Sequence, residues 1–301
     1  MAHYYDPVKL AWENKTVVPA FNIPHLPMMK PVIRAVADQN SFAFVAVARL
    51  EWRKFESKSL EAVYDEFEKL VEPGHIRIHL DHIPVIDEDN KEVDYLEVIN
   101  RAIGKGFQSV MVDGSRLPLE ENIKATKQVA DAAHAAEIPC EAELGAVLGH
   151  EEGPPPPYEE LFESGKGFTN AEEAKRFVEE SGCDWLSVAI GNIHGAVSEN
   201  LRDKKKVAAR LNIEHLNILK QVTGIPLVLH GGSGIQREYV IEGIKNGIAK
   251  INIGTEIRQA YENGLKKAGK VEDGQFEVYE RVKYLIRDYL ELADNSNIYK
   301  L

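Results

Sequence analysis

Three histidines end short apolar runs in similar ways. His82 closes "HLDH" just after Ile76-Arg77-Ile78, His194 stands in "AIGNIHG", and His230 stands in "LVLHGGSG". A single imidazole at a strand end is ordinarily structural. Three such residues suggest different chemistry, because three neutral imidazoles with an open fourth position form the ligand set of a catalytic zinc ion. The carboxylate beside His82 has two readings. Within a strand, His79 and Asp81 share one face and His82 takes the other. A turn at the strand end would bring Asp81 beside His82 as a general acid or base. In the other reading, Asp81 supports an imidazole from behind.

Two further stretches bind rather than react. "LVLHGGSG" runs on from His230 into Gly231, Gly232 and Ser233, and "KINIGTEI" supplies Asn252, Ile253, Gly254 and Thr255. Each leads from an apolar run through small residues into a helical pattern. Backbone amides and hydroxyls in such loops, next to a helix N-terminus, bind phosphate. Together these residues predict a phosphorylated substrate whose reacting end lies over the metal.

Something must carry these residues to one place. β-branched runs at 17–23, 42–48, 76–80, 109–113, 139–144, 184–190, 226–230 and 249–253 predict eight strands. Amphipathic stretches such as "NAEEAKRFVEESG" and "EHLNILKQVTG" lie between them at helical spacing. The strands are nearly continuous apolar runs, as expected when both faces are buried. This is the pattern of a (β/α)8 TIM barrel, a single domain over residues 1–301, which gathers its chemistry at the C-terminal strand ends. A doubly wound sheet is the runner-up, but no G-x-G-x-x-G follows the first strand. The one compositional break, "GHEEGPPPPYEELFESGKGF" at 149–168, predicts a long active-site loop carrying Glu151 and Glu152.

The net charge of −12 argues against a nucleic-acid partner. No apolar run approaches the roughly 20 residues of a membrane helix, so no membrane partner is expected. The first thirty residues do not read as a signal peptide. Only Cys140 and Cys183 are present, without zinc-site spacing, which fits a reducing compartment, and the cytoplasm is the expected location.

In these stretches the chain resembles the class II, metal-dependent ketose-bisphosphate aldolases, which include fructose- and tagatose-bisphosphate enzymes. "VPAFNI", "HLDH", "VMVDGS", "EAELG", "EEAKRFVEESG", "AIGNIHG", "LVLHGGSG" and "KINIGTE" follow the family's order over nearly the whole chain. The resemblance implies zinc-dependent aldol cleavage of a phosphorylated ketose to dihydroxyacetone phosphate and an aldehyde. It places one catalytic Zn2+ on His82, His194 and His230. A second or alternate metal would use Asp113 and Glu143, and a monovalent cation is the alternative to a second metal. Asp81 would be the acid/base at the aldehyde-side oxygen, and Glu152, or else Glu151, the base at C1. Asn252 would contact the enediolate. Gly195, Gly231 to Ser233 and Asn252 to Thr255 would cradle the ketone-side phosphate, with Arg210 where relatives often carry a lysine. Asn22 would also line the substrate site. A homo-oligomer, dimer or tetramer, is expected.

The departures from the family concern the aldehyde end. "PHLPMM" follows "AFNI" where a polar Asn and Glu are usual, and "VARLEWRKF" replaces a Gly/Ser-rich loop. Arg49 and Trp52 are thereby expected near the pocket mouth, where Arg49 would favour an anionic group. The other reading turns Arg49 outward onto Glu51 or Glu56. The fifth loop, "LGHEEGPPPP", is longer and stiffer than the usual "GGEED". Gly254 stands where many fructose enzymes have an acid and tagatose enzymes a small residue. These departures predict that fructose 1,6-bisphosphate is not the best substrate. A metal-dependent sugar-phosphate isomerase or epimerase and a non-catalytic aldolase companion subunit are the alternatives.

Overall fold

The computed structural model of the chain describes residues 4–145, 158–192 and 209–300. Its first half runs α1 (Pro7–Glu13), β1 (Val18–Asn22), α2 (Met29–Asp38), β2 (Ala43–Ala48), α3 (Arg49–Lys54), α4 (Leu60–Leu70), β3 (Ile76–Pro84), α5 (Tyr95–Lys105), β4 (Val110–Asp113) and α6 (Leu119–Ala135). Next come β5 (Cys140–Leu144), α7 (Tyr158–Ser164), α8 (Ala171–Ser181), β6 (Trp185–Val188), α9 (Ile213–Thr223), β7 (Leu227–Leu229), α10 (Arg237–Lys245), β8 (Ile248–Ile253), α11 (Thr255–Ala268) and α12 (Val271–Tyr284). Each strand pairs in parallel with the next, and β1 pairs with β8, so the sheet closes on itself. This is the (β/α)8 barrel. Among the described residues no helix is long and apolar enough to cross a membrane.

Strand alternation sorts the side chains. One set of buried residues, including Val45, Val47, Ile78, Leu80, Val112 and Leu229, packs outward under the helices. The other set fills the barrel in two tiers. Val18, Ala20, Phe42, Phe44, Ala46, Trp185 and Val228 form an apolar lower tier, closed from beneath by Val8 and Ala11 of α1 and by Tyr299. Trp185 keeps its indole N–H satisfied inside this tier by donating to Asp6, at 3.0 and 3.1 Å from its two carboxylate oxygens. Toward the C-terminal ends of the strands the chemistry changes. His79, Asp81, Glu141, Glu143, Ser187, Lys250 and Asn252 are all buried there. The apolar tier excludes water from below, so charges above it interact in a low dielectric.

Two local departures from the expected strands matter. The apolar run ends at Leu80, but β3 continues to Pro84, with a register shift between Leu80 and Ile83 against β4. His82 takes φ +37 there, a left-handed conformation that costs a non-glycine residue about 1 kcal/mol or more. Part of the expected active-site loop is helical: Tyr158–Ser164 forms α7, while residues 149–157 of that loop lie outside the described residues.

Candidate active site

The irregularity in β3 decides where "HLDH" points. Regular alternation would put Asp81 and His82 on opposite faces. With the extra turn at His82, both side chains reach the C-terminal mouth. His82 Nε2 lies 2.6 Å from His230 Nδ1, from the end of β7, and the two rings meet edge to face at 4.4 Å between centroids. One oxygen of Asp81 and one nitrogen from each histidine lie within 4.8 Å of one another, a set able to hold a metal ion. His82, Asp113 and Glu143 form a second such set, with Nδ1 of His82 3.4 Å from Asp113 and 3.9 Å from Glu143. His194, Gly195, Glu151 and Glu152 lie outside the described residues.

The donor chemistry fits a cation. Burial disfavours charge on His82, yet the carboxylates of Asp81 and Asp113 outweigh it and push the imidazole up to about 10. Burial, and then the charge on His82, lowers His230. His82 is inclined to hold a proton and His230 to release one, and the acids around the pair suit a cation. Metal uptake would displace any proton held by the pair. Burial and the neighbouring charge of Asp113 hold Glu143 well above the usual carboxylate range, a penalty that a bound cation would relieve.

Asp81 is held by amides. Asn22 Nδ2 donates to one of its oxygens at 2.8 Å and Asn252 Nδ2 to the other at 2.9 Å. Burial opposes the charge, but His82, the His79 ring and Lys250 hold the carboxylate well below its ordinary range. Asp81 is a fixed anion whose two oxygens each keep a lone pair for another partner.

A second layer, undetected in the sequence, lies beneath. The Lys250 ammonium, fully buried, is 2.8 Å from Glu141 and donates to Asn252 Oδ1 at 2.6 Å. Glu141 Oε1 sits 2.7 Å from His230 Nε2. That contact assigns the Nε2 proton and leaves Nδ1 as the ligating nitrogen. His79 lies 3.5 Å from Glu141 and 3.7 Å from Asp81, and burial and the Lys250 charge lower its pKa. Alternation was the available signal, since Lys250 lies two residues before Asn252 and Glu141 two before Glu143. Glu51 is the other residue missed. It is 8% exposed, and its carboxylate accepts from the Ala48 N–H at 2.8 Å. Burial, the Asp81 charge adding, pushes it up to about 8.

The two glycine stretches meet as expected of neighbouring strand ends. The Gly232 N–H donates to the Asn252 carbonyl at 3.1 Å, and a β-carbon at Gly232 would lie 2.6 Å from Ile251 Cγ1 and 2.9 Å from that carbonyl. Ser233 Oγ accepts from Glu256 N–H at 3.4 Å in the first turn of α11, which Thr255 opens after the buried Ile253. A β-carbon at Gly254 would stand 3.2 Å from Asn22 Cβ, so a larger residue there would press on the amide that holds Asp81.

The expected rim residues are engaged elsewhere. Arg49 opens α3 and pairs with Asp87 at 3.3 Å, rather than with Glu51, which turns inward, or Glu56. Trp52 is half-buried against the outer core. Arg210 lies against α7, 2.5 Å from Glu159 and with its guanidinium 4.3 Å over the Phe162 ring.

Comparison with known proteins follows this geometry. The family model described as "Fructose-bisphosphate aldolase class-II" matches residues 3–296. The YdjI aldolase of Escherichia coli K12 has a similar structure, with TM-score 0.76 and 27% identity over 97% of this chain and 99% of that one. A putative fructose-1,6-bisphosphate aldolase from Coccidioides immitis follows at 0.75 and 25%, covering 96% of each chain. The fructose-bisphosphate aldolase of Campylobacter jejuni, at 0.73 and 17% over 96% and 94%, shares the fold.

Proposed function

The chain belongs to the class-II fructose-bisphosphate aldolase family, and on that premise we propose that it uses zinc to cleave a ketose phosphate into dihydroxyacetone phosphate and an aldehyde. Metal-dependent aldol cleavage of a phosphosugar is the family's chemistry. The observation that carries the finer reading is the meeting of Asp81, His82 and His230 above a buried Lys250–Glu141 pair. The mixed imidazole and carboxylate donors suit zinc better than magnesium or calcium, which favour all-oxygen sites. His82 and His230 would hold the ion, with His194 as third ligand by family position. When bound, it supplies a Lewis acid that draws electron density from the substrate's carbonyl oxygen.

The remaining steps fall to the side chains. In the cleavage direction Asp81 takes the proton from the C4 hydroxyl as the C3–C4 bond breaks, and in condensation it returns that proton to the aldehyde oxygen. Asn22 and Asn252 keep its two oxygens aimed during both steps. Glu141 holds the His230 ring by its Nε2 proton, and Lys250 balances the charge of Glu141. Gly231 to Ser233 and Gly254 to Thr255 bind the phosphate through backbone and hydroxyl donors. Glu152, or else Glu151, moves the C1 proton. No lysine Schiff base is needed, and Lys250, fully buried in its ion pair, is not free to form one.

The aldehyde end is where this chain differs from its relatives. Gly254 leaves Asn22 uncrowded, and Asp87 already neutralises Arg49. A panel of phosphorylated ketoses assayed for triose phosphate release tests the reading. Release is expected from at least one, with tagatose 1,6-bisphosphate preferred over fructose 1,6-bisphosphate. Interconversion of sugar phosphates without any triose product would overturn it.

A further inference from the structure

One hydroxyl outside the site joins three of the segments that build it. Tyr158, the first residue of α7, has its phenol oxygen 3.0 Å from the Gly191 carbonyl, 3.0 Å from the Arg210 carbonyl and 2.8 Å from the Arg210 N–H. The oxygen accepts from that N–H and shares its single proton between the two carbonyls. Gly191 follows β6 and Arg210 precedes α9, so the phenol ties α7 to both of these segments.

The contacts continue inward from both anchors. Beyond Gly191, the Asn192 side chain accepts from Ile190 N–H at 2.9 Å and donates to the His230 carbonyl at 3.0 Å. On the other side Ala209 bridges Ile235 in parallel, donating to the Gly234 carbonyl at 3.3 Å and accepting from Gln236 N–H at 3.1 Å. The glycine loop after β7 is therefore bonded to the residue next to the phenol's other anchor. Gly191 must be glycine for α7 to dock: φ is +107, and a β-carbon would lie 2.7 Å from the Phe162 ring and 2.7 Å from the Arg210 carbonyl. At seven residues α7 is too short to hold itself in water and depends on these contacts.

We propose that Tyr158 is a positioning residue for the aldol reaction, locking α7 to the rim that carries His230 and the phosphate loop. This rests on the aldolase reading above. The competing role is that of a phenol that merely stabilises α7 on the surface.

Tyr158→Phe in the zinc-loaded enzyme separates the two. Exchange of the dihydroxyacetone phosphate C1 proton with solvent and kcat should both fall about tenfold, the net scale of losing such a part-buried hydrogen-bond junction. Zinc affinity, read by competition with a chelator, should weaken severalfold, while the melting temperature moves by only a few degrees. Proton exchange and zinc affinity both within twofold of the wild type would overturn the proposal. So would a fall of more than about 10 °C in melting temperature, which would make the hydroxyl a general stability element. Failure of the aldolase reading would look different, because the wild type would release no triose phosphate, while the chelator titration would still report on Tyr158.

Discussion

Asp81 shows how a residue's role follows from what touches it. Amides hold both its oxygens, and its charge is fixed by His82, His79 and Lys250. Asp81→Ala should retain zinc and lose roughly 10²–10⁴-fold in kcat, the usual worth of general acid–base catalysis. A parallel loss of zinc affinity would instead assign Asp81 to the support of an imidazole. Glu51 differs, because its folded-state pKa of about 8 lies above its unfolded value, which is near 4.3. Between those values the folded protein holds the extra proton, so the stability contribution is complete below about pH 4 and is lost as pH rises through 8. Glu51→Gln keeps an acceptor for the Ala48 N–H and has no proton to lose. The variant should match the wild type near pH 4.5 and exceed it at pH 8.5 by an amount on the order of a few kcal/mol in chemical denaturation. Parallel stability curves for the two proteins would contradict this account of Glu51.

At the level of elements, the strands were legible because each is an apolar run buried on both faces, and the histidines could be read because they end those runs. The β3 irregularity could not be read. It depends on how β3 registers against β4, and nothing within "HLDH" announces that His82 will adopt φ +37. Lys250 and Glu141 were readable in principle from alternation, but a lysine within a central strand looks out of place until its ion partner is known. The helix α7 was hidden by the four prolines before it, which gave the whole stretch the look of a loop. The glycine loops were legible as phosphate-binding, and Gly232 makes that testable. A methyl group there meets Ile251 and the Asn252 carbonyl, so Gly232→Ala should push the loop off β8. We expect KM for the ketose phosphate to rise about tenfold or more, with protection by inorganic phosphate weakened in proportion. An unchanged KM would mean that the phosphate is bound elsewhere.

Across the whole molecule, the barrel separates a dry apolar tier from a charged one. The protein carries a net charge of −12, and its proposed substrate is an anion, so local positive charge must come from somewhere. Among the described residues, Lys250 supplies one such charge inside the barrel but spends it on Glu141. The acids around His82 and His230 leave that pair as the place for a cation, which is why the account rests on a metal. The most direct test is elemental analysis of protein purified without chelator, followed by chelation and zinc re-addition, with triose phosphate release measured at each stage. The account predicts about one zinc per chain, loss of activity on chelation and recovery with zinc. Full activity in the metal-free protein would contradict it.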